Sequence, residues 1–285
     1  MTEPVALEQL SPKTLVLRLD EGGALHITLS RPKARNAMSL EMVAEIEAVL
    51  DATLDRRDVR ALVLRGAEGH FCAGGDVKDM ARARMSPPGD GEADPVAAVN
   101  RAFGTMITKV DRAPQAVVAV LEGAVLGGGF GLACVADVAI ARADAKFGLP
   151  ETGLGLPPAQ IAPFIVRRLG LSQARRLAVT GGRFDGVQAH AMGLVHEVAA
   201  DGPALDGALA EVLGQIRRCA PGAVASTKHL MLQVGTVDHE RLLDEGAERF
   251  SAAVRGPEGV EGITAFIGKR RPHWADAKPG SDGKQ

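Results

Sequence analysis

The segment His70–Lys78 reads HFCAGGDVK, and further along the chain Glu122–Gly131 reads EGAVLGGGFG. Each glycine-bearing segment follows a short apolar run and precedes a pattern with helical spacing. Glycine lets the backbone approach a ligand closely, because no side chain stands in the way. Two such loops can direct backbone N–H groups from separate parts of the chain at one oxygen atom, which is how proteins stabilise an oxyanion as it forms. The pair predicts a site for a developing negative charge.

A short acidic motif follows the second loop, where Phe147–Glu151 reads FGLPE. The residues around the glutamate are apolar, with Leu154 and Leu156 on its far side. Burial among them would raise the pKa of the Glu151 carboxyl and suit it to general acid–base work. A surface or helix-capping role is the alternative for Glu151. Two donor loops and one carboxylate suggest chemistry through an enolate.

The composition bounds the class of protein. The 285 residues suffice for one large domain or a domain with an extension, and 46% hydrophobic residues support a sizeable core. Aromatic residues make up only 3%, without tyrosine, which argues against a nucleic-acid groove built from stacked rings. The net charge of −2 gives no overall basic field. We therefore expect no nucleic-acid partner.

The cysteines and histidines suggest neither disulfides nor a metal site. Cys72, Cys134 and Cys219 are scattered and form no Cys-x-x-Cys spacing, and the seven histidines form no ligand pair. The first residues lack a basic region followed by an apolar one, so no signal peptide is predicted. The longest apolar stretch, 116–121, is too short to span a bilayer. The sequence predicts a cytoplasmic protein with reduced thiols, no metal and no membrane partner.

Strand, loop and helix patterns recur along the first two thirds of the chain. Alternating apolar residues predict a β-hairpin over 14–20 and 24–30, and Ser39 is a plausible N-cap for the helical pattern that follows it. Further predicted elements are strands at 61–64, 117–121 and 135–141 and a helix around Phe103–Val110. These units predict an α/β core of stacked ββα turns.

The sequence divides into three predicted regions. Residues 1–200 form the core, residues 201–275 form a helical C-terminal extension for oligomerisation, and the polar residues 276–285 form a disordered tail. Pro87–Glu92 is a predicted flexible segment, either a loop over a site or a surface insertion.

These motifs, together with Arg31–Ala37 (RPKARNA), resemble those of the crotonase (enoyl-CoA hydratase/isomerase) superfamily. The resemblance covers roughly residues 13 to 275. It implies a crotonase-like spiral of ββα turns whose C-terminal helices assemble a homotrimer or a dimer of trimers. It also implies an enzyme that acts on an acyl-CoA, with CoA as part of the substrate and no permanently bound cofactor.

The resemblance assigns roles to individual positions. The N–H groups of Gly75 and Gly128 match those that hold the thioester oxygen, and Glu151 matches an acid that transfers a proton at the α-carbon. The positions that match CoA contacts are Lys33, Ala34, Arg35, Ala73, Gly75, Asp76, Val77, Lys78, Phe266 and Lys269. Of these, Phe266 and Lys269 would reach CoA across a subunit boundary.

One position departs from the two-glutamate hydratases, since Gly131 stands where their second glutamate helps to activate water. Either Glu151 handles both proton transfers, or another group positions the water, or water is not a substrate. We predict reversible hydration of a 2-enoyl-CoA, with isomerisation through Glu151 alone as the main alternative. The sequence also leaves open a thioesterase and a non-catalytic CoA- or RNA-binding protein.

The stretches 125–134 and 147–164 resemble the isohexenylglutaconyl-CoA hydratases of acyclic terpene degradation. This similarity implies a branched glutaconyl-CoA substrate with a distal carboxylate. Arg35, Arg82 or Arg84 could pair with that carboxylate.

Overall fold

The structure is a computed structural model that describes residues 5–85 and 94–276. The predicted flexible segment 87–92 and residues 277–285 of the predicted tail lie outside the described residues. Strands and helices alternate along most of the chain, and the last four elements longer than one turn are helices.

Most strands belong to one sheet with the order β1-β2-β3-β4-β6-β9, and a smaller sheet has the order β5-β7-β8. The predicted hairpin is confirmed, because β1 pairs antiparallel with β2, whereas the other neighbours in the larger sheet are parallel. The strands are β1 (Leu15–Leu19), β2 (Ala24–Leu29), β3 (Ala61–Gly66), β4 (Ala116–Leu121), β5 (Ala124–Leu126), β6 (Val138–Arg142), β7 (Lys146–Gly148), β8 (Arg183–Phe184) and β9 (Glu197–Ala199).

Helices cover both faces of the sheet and form the C-terminal region. The predicted N-cap is confirmed, since the Ser39 side chain accepts a hydrogen bond from Met42 N at 3.2 Å. The helices are α1 (Leu40–Thr53), α2 (Val77–Met85), α3 (Pro95–Arg112), α4 (Gly128–Val135), α5 (Ala162–Thr180), α6 (Gly186–Ala191), α7 (Gly202–Arg217), α8 (Pro221–Gln233), α9 (His239–Arg255) and α10 (Pro257–Ile267). The strand predicted at 135–141 begins only at 138, because helix α4 continues to Val135.

The central strands are buried on both faces, as expected for parallel strands between helices. Leu62 and Leu64 of β3 point into the larger core, while Val63 points into a second core that contains Leu205 and Leu209 of α7. Helix α7 therefore packs on the sheet, although the sequence assigns it to the C-terminal extension. The boundary predicted at residue 200 falls between β9 and this helix.

Helices α8 to α10 expose large apolar side chains to solvent. Phe250 is 73% exposed and Phe266 is 84% exposed, and Met231 and Ile267 are similarly open. Apolar side chains clustered at a surface mark interaction sites more often than single exposed ones do. This surface is consistent with the predicted oligomerisation region.

The described residues show no membrane span or metal-binding group. No helix among them is long and apolar enough to cross a bilayer. Their His, Cys, Asp and Glu side chains form no group of three or more that could hold a metal ion. Burial raises the pKa of the Cys72 thiol to about 11 and that of Cys134 to about 12, so both stay protonated and poorly reactive.

Arg60, at the start of β3, ties the sheet to the C-terminal region. Its buried guanidinium donates hydrogen bonds to Trp274 O at 2.9 Å and to Cys219 O, just beyond α7. Trp274 Nε1 in turn donates to Arg218 O at 3.2 Å. One cation thus satisfies carbonyl oxygens from two separate C-terminal segments.

We expect Arg60→Ala to lower the free energy of unfolding by about 2–4 kcal/mol, because it leaves buried carbonyl oxygens without a charged donor. Arg57→Ala is the matched control. Arg57 is exposed, and its ion pair with Glu258 is long at 3.5 Å, so its loss should cost less than about 1 kcal/mol. Urea unfolding at one fixed protein concentration measures both changes. Equal losses in the two variants would contradict a special role for Arg60.

Candidate active site

The two glycine-bearing loops lie side by side and are joined by backbone hydrogen bonds. Cys72 N donates to Ala124 O at 2.9 Å, and Leu126 N donates to Cys72 O at 2.9 Å. On its other side the first loop is held by Met38, whose N–H donates to Gly74 O at 2.8 Å. The structure therefore brings together two segments that are far apart in the sequence.

Two backbone N–H groups in these loops are free to bind a ligand. Within the part of the chain that the structure describes, neither Gly75 N nor Gly128 N donates a hydrogen bond. Gly128 begins helix α4, and the first N–H groups of a helix have no partner within it. The helix dipole there also favours negative charge. The predicted pair of oxyanion donors is thus accessible.

The carboxylate of Glu151 lies against Gly127 of the second loop. A β-carbon added to Gly127 would be 2.7 Å from Glu151 Oε1 and 3.5 Å from Gly74 Cα. Gly127 also has a φ of +50°, which glycine adopts at little cost. A side chain at residue 127 would therefore displace the carboxylate. Glycine is required here for its small size and for its backbone conformation.

The environment of Glu151 suits a proton donor. Burial raises the pKa of its carboxyl, and Oε2 is buried without a hydrogen-bond partner among the described residues. A buried carboxylate with an unpaired oxygen is costly, so the protonated form is favoured. Gly127 N donates to Gly148 O at 3.1 Å, which ties the motif that carries Glu151 to the second loop. The expected desolvation of this acid agrees with the raised pKa, but Leu154 and Leu156, which were expected to bury it, are 65% and 46% exposed.

The space beside Gly131 is filled by hydrocarbon. A β-carbon added there would collide with Ile161 Cγ2 and lie 3.0 Å from Ile107 Cδ1. Both isoleucines are buried. The chain thus lacks a second glutamate at residue 131, and the surrounding packing leaves no room for one.

Apolar side chains flank the two donors. A β-carbon on Gly75 would lie 2.5 Å from Met80 Cε, and one on Gly128 would lie 3.2 Å from Phe103 Cζ. Met80 belongs to α2 and Phe103 to α3, so both helices contribute side chains to the surroundings of the two donors. These side chains provide a hydrocarbon surface next to the expected position of an acyl chain.

The turn that contains Lys33, Ala34 and Arg35 lies against the first loop, because Ala73 N donates to Arg35 O at 3.0 Å. Lys33 and Arg35 are exposed, and neither forms an ion pair with a described acidic residue. Both side chains are therefore accessible to an anion, and their contact with a CoA phosphate stays a prediction.

Asn36, which was not predicted from the sequence, holds this turn in place. Asn36 is fully buried with a φ of +56°, a conformation that asparagine tolerates better than most residues. Its side chain donates to His70 O at 2.7 Å and to Ala67 O at 2.9 Å. A buried asparagine in a polar turn gives no periodic signal, so only the structure identifies it.

Asp76, Val77 and Lys78 form the start of α2. Burial tends to raise the pKa of Asp76, but its hydrogen bond to Arg31, 2.6 Å away, outweighs burial and the pKa is lowered. Asp76 also accepts a hydrogen bond from Lys78 N at 2.9 Å. Its carboxylate therefore has internal partners, whereas the side chains of Val77 and Lys78 are exposed.

Phe266 and Lys269 lie at the end of α10 and are exposed. Among the described residues, no hydrogen bond or ion pair joins them to the glycine loops of the same chain. The predicted CoA contact across a subunit boundary is compatible with this position and stays a prediction.

The comparisons with known proteins identify the family. The model of the enoyl-CoA hydratase/isomerase family matches residues 20–278, so the chain belongs to this family and is an enzyme of it. The enoyl-CoA hydratase ACTT6 of Alternaria alternata is 32% identical over 90% of this chain and 83% of that protein. The peroxisomal Delta(3,5)-Delta(2,4)-dienoyl-CoA isomerase of Arabidopsis thaliana is 29% identical, over 95% of this chain and 99% of its own.

Solved structures confirm the crotonase fold. Pseudomonas aeruginosa AtuE superimposes with a TM-score of 0.88 at 59% identity and covers 92% of this chain and 100% of its own. An enoyl-CoA hydratase/isomerase from Marinobacter aquaeolei superimposes with a TM-score of 0.89 at 54% identity, over 92% of this chain and 99% of its own.

We expect Gly75→Pro to reduce turnover by about 10²–10³-fold, because proline has no N–H to donate to the oxyanion. CoA affinity should be partly kept. Gly75→Ala is the matched control, since it keeps the N–H and only requires the flexible end of Met80 to move. Steady-state kinetics of folded variants test this, and near-normal turnover of Gly75→Pro would remove Gly75 from the role.

Proposed function

We propose that the enzyme reversibly hydrates a 2-enoyl-CoA, with CoA entering as part of the substrate. The observation that carries the proposal is the position of Glu151 Oε1 beside Gly127, 2.7 Å from a β-carbon built on that residue, which directly precedes the donor Gly128. A thioester oxygen between Gly75 N and Gly128 N would have its α-carbon within reach of this acid.

In this proposal the oxygen of water adds to C3, and the electrons of the C2=C3 bond move to the thioester oxygen. The two N–H groups stabilise the resulting enolate, and removing one such donor typically costs ~10²–10³ in rate. Glu151, whose pKa is raised by burial, then donates a proton from its protonated form to C2.

We propose a branched glutaconyl-CoA, such as isohexenylglutaconyl-CoA, as the substrate. The resemblance of stretches 125–134 and 147–164 supports this choice, and the hydrocarbon of Met80, Phe103 and Ile161 suits a branched chain. Product analysis against straight, branched and carboxylated 2-enoyl-CoAs tests it. We expect only the branched, carboxylated thioesters to gain the mass of one water. Hydration of straight chains alone would contradict this substrate.

Isomerisation of a 3-enoyl-CoA is the second candidate. It is favoured by Gly131, because moving a double bond needs only one proton shuttle, and Glu151 can be that shuttle. A related dienoyl-CoA isomerase is 29% identical to this chain. Assays with a 3-enoyl-CoA and with a 2-enoyl-CoA separate the candidates, since only hydration consumes water.

We expect Glu151→Gln to lower turnover by about 10²–10⁴-fold, the usual contribution of a positioned acid or base. The amide keeps the size of the side chain but cannot exchange the proton, while the oxyanion donors still bind substrate. In deuterated water the wild type should place deuterium next to the thioester carbonyl, and the variant should not. Wild-type turnover by a folded variant would make Glu151 structural.

The pH profile gives a second readout of the same residue. Hydration uses the protonated carboxyl, so kcat/KM should fall as pH rises through the pKa of Glu151. Because burial raises that pKa, the fall should lie above the ordinary range of a glutamate. The residual kcat/KM of Glu151→Gln should not show this fall with rising pH.

We also propose that the chain assembles as a homotrimer or a dimer of trimers through its C-terminal helices. The exposed apolar side chains of α9 and α10 support this, since a lone chain would leave Phe250 and Phe266 in water.

The double variant Phe250→Asp/Phe266→Asp should therefore have a smaller mass in light scattering, because charge at an apolar interface is costly. Leu54→Asp is the control: Leu54 is an exposed leucine that follows α1, outside the C-terminal helices. An unchanged mass in the double variant would place the subunit contacts elsewhere.

A further inference from the structure

Water addition at C3 produces a proton that some group has to accept. In two-glutamate hydratases the residue at position 131 helps with this step, but here Ile161 and Ile107 occupy the space beside Gly131. The side chains that fill the space beside Gly131 are thus apolar and cannot accept the proton.

The two acidic residues within the loops already have partners. Asp76 is paired with Arg31 at 2.6 Å, and Glu122 is paired with Arg65 at 3.0 Å. The buried Asp111 is paired with Arg167 and lies eight residues along α3 from Phe103, about 12 Å at 1.5 Å per residue. Among these described residues, Glu151 remains the carboxyl beside the loops without an ion pair, and it is needed as the acid.

Gln160 is the polar residue next to Ile161 in the sequence, and its side chain also has internal partners. Its Nε2 donates to Asn100 Oδ1 at 2.9 Å, and its Oε1 packs directly on Gly104 of α3. An amide held in this way could orient water, but it cannot accept a proton.

We propose that the carboxylate of the substrate itself accepts the proton of the attacking water. This inference rests on the proposed function, which supplies a glutaconyl-type thioester with a carboxylate two bonds from C3. That carboxylate can reach a water at C3 through a six-membered arrangement. The substrate then replaces the second glutamate.

The step balances without an added reagent. As the water oxygen bonds to C3, one water proton moves to the substrate carboxylate and the C2=C3 electron pair moves to the thioester oxygen. Glu151 gives its proton to C2, and the enolate returns to a thioester. The new carboxylic acid then returns its proton to Glu151 through solvent, so both groups regain their starting charge.

The apolar packing around residue 131 suits this division of roles. Desolvation disfavours the charged form of a carboxylate, so hydrocarbon such as Phe103 beside Gly128 would make the substrate carboxylate a stronger base. A glutamate at residue 131 would place like charge near the substrate carboxylate and disfavour binding. Gly131 avoids that repulsion.

The test compares 3-methylglutaconyl-CoA with its ω-methyl ester, which has nearly the same shape but no carboxylate. We expect the ester to be hydrated about 10²–10⁴-fold more slowly, with its affinity changed less than about 10-fold. Added formate should restore part of the hydration of the ester, because a small carboxylate can take the proton instead. A group that served only for binding would not give this rescue.

Equal turnover of acid and ester would overturn the inference, and so would a loss confined to KM. If neither thioester is hydrated while a 3-enoyl-CoA is isomerised, the proposed hydratase function itself is wrong.

Gln160→Ala provides an independent arm of the test. Hydration of the carboxylated substrate should stay within about 3-fold of wild type, since the amide is held by Asn100 and Gly104. A loss above about 10²-fold in a folded variant, with unchanged substrate affinity, would assign the water to Gln160 and overturn the inference.

Discussion

Hydrogen bonds from two directions hold the first glycine loop, and the site depends on them. Met38 binds the loop on one side, and Ala124 and Leu126 of the second loop bind Cys72 on the other. These bonds use N–H and C=O groups on either side of Gly75, and its own N–H has no partner among the described residues. Donors that are fixed before the reaction need no reorganisation as charge develops. The strands that precede each loop, β3 and β4, are neighbours in the buried sheet and set the spacing.

Close packing also explains why several positions must be glycine. A β-carbon on Gly129 would lie 2.7 Å from Cys72 Cβ, and one on Gly127 would lie 2.7 Å from Glu151 Oε1. The first contact brings the loops together, and the second places the acid. Gly131 is different, because its neighbours are isoleucine side chains that could vary in size. The glycine at residue 131 is therefore related to the reaction rather than to the contacts that hold the loops together.

The sequence predicted the parts of the fold that have a periodic or compositional signal. The β1–β2 hairpin, the helix after Ser39 and the two glycine loops agree with the structure. The helical pattern after the second loop is confirmed as α4, but its last residue, Val135, was taken for strand because it adjoins the apolar run of β6. The small sheet of β5, β7 and β8 was missed because strands of two or three residues show no alternation.

The candidate site was predictable in its residues but not in its contacts. The motifs pointed to Gly75, Gly128 and Glu151, and the structure brings their segments together. The ion pair of Asp76 with Arg31 spans 45 positions, and no local pattern encodes such a pair. The contact of Ile161 with Gly131 likewise joins residues that are far apart in the sequence, and no local pattern predicts it.

A single physical factor, the exclusion of water, links the acid to the donors. Burial raises the pKa of Glu151, because an ionised carboxylate whose Oε2 lacks a partner among the described residues would be costly there. The same low polarity strengthens the hydrogen bonds that Gly75 N and Gly128 N can give to an enolate. Phe103 lies beside Gly128 and Met80 beside Gly75, so hydrocarbon also borders the two oxyanion donors. A second ionised glutamate in this hydrocarbon would carry its own desolvation cost, and a chain without one avoids that cost only if the base for water arrives with the substrate.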